Sequence, residues 1–232
     1  MRLKRRKWLI SLACAAVALA LFLIFTRERE PEYQGRRLSE WLERYRETQS
    51  SQDINDSEAA IRIIGTNALP YFLKWIADEP RAWRISVSTN LPAFLDRPPV
   101  NRWIEGNASR RSAYALSGFA LLATNAVSAI PELEALMKDN TKPMSSKHAI
   151  FALSHMGDPA IPVLKSALAD TNQLNPGFII FAFEGMASIR GTNVCWPLLR
   201  EALSHPNSDV RLMATNAVKG HVPGLLPDAF PQ

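Results

Sequence analysis

Residues 148–170 read HAIFALSHMGDPAIPVLKSALAD, two apolar-rich stretches separated by a short polar turn at Gly157. In the first stretch Ala149, Leu153 and Met156 fall three and four positions apart, which is the spacing of one helix face. Gly157 then stops the helix, because glycine accepts the positive φ of a helix C-terminus, and Asp158 supplies capping chemistry for the next one. Pro162 suits a first helical turn, where its missing N–H is not needed. Leu164, Ala167 and Leu168 follow it at two, five and six positions and form one face of a short helix, which Asp170 ends at the eighth. The segment predicts two antiparallel helices joined by a stop-and-start turn.

The same punctuation recurs. IGTNALP at 64–70 and RGTNVCWP at 190–197 repeat the turn, and Pro70, Pro131, Pro162 and Pro197 mark the same point in each copy. Eight positions after them stand Asp78, Asp139, Asp170 and His205, and two positions after them Phe72, Leu133, Leu164 and Leu199. The stretches SEAAIRIIG, SRRSAYALSGFALLA and FIIFAFEGMASI supply the other first helices. A phosphate-cradling loop needs a preceding strand and a glycine-rich consensus, and neither is present. The spacings 131 to 162 and 162 to 197 are 31 and 35 residues, which suit a helix-pair repeat. The gap from 70 to 131 is 61 residues, so a degenerate copy is expected across 80–109, interrupted by Pro98-Pro99. The last copy opens with HPNSDVRLMATNAV at 205–218, with a truncated second helix and Pro227 and Pro231 in an irregular tail.

These residues resemble the HEAT-repeat family. Asp209, Val210, Arg211 and Ala214 are similar to the Asp-x-x-Val-Arg-x-x-Ala first helix of that family, and 148–170 is the best full copy. The resemblance covers roughly residues 56–226 and implies an all-α fold, an α-solenoid of antiparallel helix pairs with about five repeats, one of them degenerate. The layout is also similar to uncharacterised bacterial membrane-anchored HEAT-repeat proteins, and some members of the wider family resemble bilin lyases.

The amino terminus carries a different signal. MRLKRRK is followed by WLISLACAAVALALFLIF, residues 8–25, with no charged residue. Eighteen helical residues span roughly 27 Å, close to the hydrocarbon thickness of a bilayer. The basic flank Arg2, Lys4, Arg5, Arg6 and Lys7 predicts that this end stays in the cytoplasm and that the repeats lie on the extracytoplasmic side of a single-pass membrane protein. A cleaved signal peptide and a lipidated Cys14 are the competing readings. The expected organisation is a basic tail at 1–7, an anchor at 8–25, a juxtamembrane linker at 26–37, an amphipathic helix and polar loop at 38–55 with Ser39 as its cap, the repeats at 56–226 and an irregular tail at 227–232.

The net charge of +5 sits wholly in residues 1–30, where seven basic side chains face two acidic ones. The remainder is neutral, so the pI gives no support for nucleic-acid binding. Cys14 and Cys195 provide no disulfide framework. Cys195 precedes a helix, a setting that can activate a thiol, though buried packing is the simpler reading. His148 and His155 are seven apart on one helix, too far to chelate one ion directly, and His205 occupies a repeat-ending position. No acid–base pair or nucleophile motif stands out, so neither catalysis, a cofactor nor a metal is expected. Arg81, Arg84, Arg97, Arg102, Arg110 and Arg111 outnumber Glu79, Asp96 and Glu105 across 79–111.

On the second helices, the third and fourth positions after each proline point away from the apolar stripe. They hold Lys74, Glu134, Lys165, Ser166, Arg200 and Glu201, the expected binding residues of a concave face. The functional expectation is a membrane-tethered scaffold that binds a protein or peptide. The alternatives are a lyase-like enzyme of the bilin-lyase type, and an envelope lipid or polymer binder using the arginine-rich 81–111 segment.

Overall fold

A computed structural model describes residues 29–79, 98–170, 173, 175–190 and 192–221, with single positions 81, 83, 86, 87 and 91 between; the side chains of 98–105, 188–190, 192–195 and 221 are outside that description. The expected anchor at 8–25 and tail at 227–232 lie outside the described residues.

The described chain opens on a hairpin, β1 (Glu32–Tyr33) and β2 (Arg36–Arg37). Helices follow: α1 (Leu38–Glu47), α2 (Ser51–Ile64), α3 (Leu69–Ala77), α4 (Pro98–Leu122), α5 (Ile130–Lys138), α6 (Pro143–Met156), α7 (Ile161–Ala169), α8 (Pro176–Arg190), α9 (Thr192–Ala202) and α10 (Ser208–His221). The first helices α2, α4, α6, α8 and α10 stack side by side, and the second helices α3, α5, α7 and α9 each pack against the first helix of the next pair. The result is a row of antiparallel helix pairs, with α1 laid across α2 and α4 at the amino-terminal end.

The turns stop and restart the helices where the sequence predicts, but the expected side-chain caps are not made: Ala68, Gly157 and Ala160 are the N-caps and carry no side-chain cap bond. Gly65 (φ 58) and Gly157 (φ 74) sit in the positive-φ region where α2 and α6 end. Short 3-10 turns, 65–68 and 158–160, then lead into α3 and α7. Pro70, Pro131 and Pro162 lie in the first turn of α3, α5 and α7, and Asp78, Asp139 and Asp170 are their C-caps. The stripe after each proline is the core: Phe72, Ile76, Leu133, Met137 and Leu164 are fully buried. Burial of side chains of this size stabilises by roughly 1.5–3 kcal/mol each.

A second recurring device ties neighbours together. The Ser112 hydroxyl donates to the Trp75 carbonyl at 2.9 Å, and the Ser146 hydroxyl to the Met137 carbonyl at 2.7 Å. Each serine belongs to the first helix of the next pair and satisfies a last-turn carbonyl that the second helix cannot. His205 does the same for α7: its Nδ1 accepts from the Asn207 N–H at 3.1 Å, so Nε2 carries the hydrogen that it donates to the Leu168 carbonyl at 2.9 Å. His205 is thus a cap, as its repeat-ending position predicts.

Several expectations are corrected. Residues 32–37 are not linker. Gln34 (φ 50) and Gly35 (φ 74) form a tight two-residue turn, and the hairpin is fastened by Trp41 Nε1 donating to the Tyr33 carbonyl at 3.0 Å. Residues 51–55 are not loop either. Ser50 caps α2 by accepting the Asp53 N–H at 3.4 Å, so the first repeat begins at Ser51 instead of residue 56. Ser39 caps nothing; α1 starts after Arg37, and the Ser39 N–H is bound by the Glu30 carboxylate at 2.9 Å. Pro197 does not open its helix, since α9 starts at Thr192 and carries the proline inside.

α3 packs directly on α4 and touches α5, so no further helix pair is stacked between them among the described residues. Most of 80–97, where the degenerate copy is expected, lies outside those residues. Gly106 (φ 67, ψ −179) breaks α4 into two pieces. The run Gly106–Lys138 has the length and hydropathy of a membrane span, but the 3-10 turn at 123–129 breaks it, and Phe119, Leu122, Leu133 and Met137 bury it in the core.

Candidate functional site

The second helices leave a polar surface above their buried stripe. Lys74, Lys165, Ser166, Arg200 and Glu201 are exposed there and Glu134 is half-buried. The six do not converge on one point. Lys165 reaches across from α7 to α9 and pairs with Glu201 at 2.7 Å, while Glu134 pairs along α5 with Lys138 at 2.5 Å. Both pairs face solvent and contribute at most a few tenths of a kcal/mol to stability.

Between α3 and α5 the surface opens into a groove of about 440 Å³. Leu73, Ala77, Ala135 and Leu136 form an apolar lining, and Lys74, Glu132 and Asp139 add charge. Asp139 is held: its Oδ1 accepts from the Thr141 N–H at 3.0 Å and from the Thr141 hydroxyl at 2.6 Å, which lowers its pKa from the usual carboxylate value. Of the six predicted residues only Lys74 lines this groove. The short helices explain why it exists, since nine residues carry one apolar stripe inward and leave small side chains such as Ala77 and Ala135 at the outer seam. The matching seam between α7 and α9 is nearly closed, at about 60 Å³, room for only a water or two.

A separate hollow of about 330 Å³ lies by the hairpin, lined by Tyr33, Gln34, Arg36, Trp41, Arg44, Asp56 and Ala59. The Arg36 and Arg44 guanidinium carbons stand 5.2 and 5.8 Å from the Trp41 ring centre, a cation–π arrangement. Arg44 is also bound to the Asp53 carboxylate, which raises the arginine pKa and lowers that of the aspartate. Sequence reasoning missed this hollow. Its signal was present in the spacing of Trp41 and Arg44, one helical turn apart.

His148 and His155 are half-buried on α6, and loss of solvation pushes both pKa values below 6.5. The Nδ1 of His148 is buried and has no hydrogen-bond partner. Among the described residues no three His, Cys, Asp or Glu side chains are grouped to hold a metal ion. Cys195 falls in α9, where its side chain is outside the description. The arginine-rich segment is not assembled into one patch among the described residues: Arg81 and Arg111 are exposed, Arg110 is bound to Asn107 at 2.9 Å, and Arg84, Arg97 and Arg102 fall outside. Glu79 is bound to the start of α6 instead.

No curated protein and no solved structure matches the chain. Residues 147–170 match the family model described as the PBS lyase HEAT-like repeat. The match runs from the second turn of α6, across the Gly157 turn, to the C-cap of α7. Residues 147–170 are thus similar to a HEAT-like repeat, and the helix pairs around them stack as a mostly helical repeat array.

Proposed function

We propose that this chain is a membrane-tethered helical-repeat scaffold whose second-helix face binds a polypeptide outside the cytoplasm, without catalysis of its own. The observation that carries the reading is the groove between α3 and α5, an apolar slot with charged residues on an otherwise polar surface. Slots of this kind take one or two apolar side chains of a partner and orient it by its charges. The uncharged run at 8–25 and its basic flank support the tether.

The test places an arginine in the slot. Ala135 is exposed, so Ala135→Arg blocks the groove without entering the core. Full-length wild type and variant are crosslinked in membranes and the captured polypeptides compared. Equal membrane levels with loss of captured polypeptides in the variant is the expected result; an unchanged capture profile refutes the groove as the binding face.

The similarity of residues 147–170 to the PBS lyase HEAT-like repeat supports a second reading, a lyase-like enzyme, for which Cys195 is the candidate nucleophile. Alkylation at neutral pH decides it. A Cys195 thiol that reacts no faster in the folded protein than in denaturant ends that reading.

A further inference from the structure

The hollow by the hairpin holds a cation and an anion that the fold leaves without a bonded partner. In the β1–β2 ladder Tyr33 stands opposite Arg36, and Glu32 opposite Arg37. Opposed residues share a face and neighbours along a strand alternate, so the two pairs point to opposite faces. On one face Glu32 and Arg37 form an ion pair at 3.8 Å. On the other, the Tyr33 ring lies 6.5 Å from that of Trp41, and Arg36 stacks over the same indole. The acid of the hairpin thus serves Arg37 and not Arg36.

The helices divide their charges in the same way. Asp53 and Asp56 are one turn apart on α2. Both oxygens of Asp53 are engaged, one by Arg44 and the other by the Thr48 hydroxyl at 3.2 Å. Asp56 lines the hollow. Among the described residues neither Arg36 nor Asp56 makes a side-chain hydrogen bond or an ion pair; their charges reach Asp53 and Arg44 only through space. The Tyr33 hydroxyl accepts from Gln34 Nε2 at 3.3 Å, so its own hydrogen remains to be donated. The bond from Trp41 Nε1 to the Tyr33 carbonyl fixes the hairpin on α1, so these groups are held in place before any ligand arrives. At about 330 Å³ the hollow is at the small end of ligand-binding sites.

We propose that this hollow binds a small zwitterion of the α-amino acid class, its carboxylate on Arg36 and the Tyr33 hydroxyl and its ammonium on Asp56. A simple anion would meet the Asp56 charge, and a simple cation those of Arg36 and Arg44. A ligand that carries both signs satisfies both unpaired groups. The Arg36 guanidinium is a planar fork that matches a carboxylate, and its stacking on Trp41 presets the orientation. The hollow shares no lining residue with the α3–α5 groove, so this site and the polypeptide-binding reading stand or fall separately.

The test uses the full chain in nanodiscs, with empty nanodiscs as the control. Saturation-transfer NMR against the standard free amino acids finds the binders, and calorimetry compares the strongest with its N-acetyl and carboxamide derivatives. Each derivative lacks one of the two charges, and binding at least about tenfold weaker than that of the free amino acid is expected for both. Arg36 and Asp56 are exposed, so Arg36→Gln and Asp56→Asn leave the core untouched, and each is expected to weaken binding at least about tenfold. Binding of no free amino acid overturns the proposal. So does an N-acetyl or carboxamide derivative that binds as tightly as its parent, or wild-type affinity in either variant.

Discussion

Glu79 closes the amino terminus of a helix that starts far downstream of it. Its carboxylate accepts the Met144 N–H at 3.0 Å, the Ser145 N–H at 2.9 Å and the Ser145 hydroxyl at 2.8 Å. The local N-cap residue of α6, Lys142, makes no such bond, so Glu79 supplies the cap from the end of the first repeat. The negative charge also lies at the positive end of the α6 dipole.

Replacing Glu79 therefore costs more than a surface substitution. Glu79→Ala leaves two helix N–H groups without their acceptor, and a loss of about 1–2 kcal/mol is expected. Glu79→Gln keeps an acceptor oxygen and loses the charge, so it falls between alanine and wild type. Urea denaturation midpoints check the order; an alanine variant as stable as wild type refutes the cap.

Gly118 and Phe72 set a second prediction. A Cβ on Gly118 would overlap the Phe72 ring, most severely at Cζ. Alanine is the better helix former by about 1 kcal/mol, so propensity alone favours Gly118→Ala. The ring decides the sign. Phe72 is fully buried, with the Trp75 ring at 5.9 Å and the Phe119 ring at 5.4 Å, so shifting it disturbs both neighbours. A net destabilisation of about 1–3 kcal/mol is expected. Phe72→Leu should cost less when combined with Gly118→Ala than in wild type, because it removes the clash. A thermal-melt double-mutant cycle with no coupling between the two positions contradicts this.

What was legible in the sequence was local. Gly157, Pro162 and Asp170 act within a few residues of themselves, so helix stop, helix start and C-cap could be read in order, and with them the repeat. The Glu79 cap acts on residues 65 and 66 positions away, and nothing near Glu79 or Met144 announces it. The spacing between the first two copies misleads for a related reason: 61 residues fit two repeats, and only the direct packing of α3 on α4 shows that the two described copies are neighbours. Pro197 departs from the pattern because proline marks a first turn only when the preceding residues are not helical, and Thr192 starts α9 earlier. Of the candidate site, the outward positions on the second helices could be placed by periodicity. The groove could not, because it depends on which small side chains meet across α3 and α5.

The turn at Ala123 departs from its sister copies. Gly65 and Gly157 carry positive φ at the same point, whereas Ala123 adopts φ 47 with a Cβ. The left-handed region costs a non-glycine residue about 1–2 kcal/mol, and glycine adds back part of that as unfolded-state entropy. Ala123→Gly is expected to stabilise by about 0.5–1 kcal/mol, a rise in Tm of a few degrees for a domain of this size. A lower Tm for the variant contradicts the strain argument.

The half-buried histidines make stability depend on pH in one direction. Desolvation is the main cause that lowers the pKa of His148 and His155 from 6.5; for His148, the Glu79 charge opposes it and Lys147 adds to it. The folded protein thus binds fewer protons than the unfolded chain between the lowered values and 6.5. Unfolding free energy then rises with pH in that window, and is lost as pH falls below the unfolded value. The carboxylates act elsewhere: Asp53, lowered chiefly by its hydrogen bond from Arg44, and Asp139, lowered by Thr141, lose their contribution only as pH falls below 3.8. Among the described residues, the shifts that act between about pH 4.5 and about pH 6.5 are those of the two histidines. Urea denaturation at about pH 5 and about pH 7.5 should show lower stability at the acid value, and His148→Gln with His155→Gln should remove most of the difference. An equal drop in the double variant would assign the acid sensitivity to other groups.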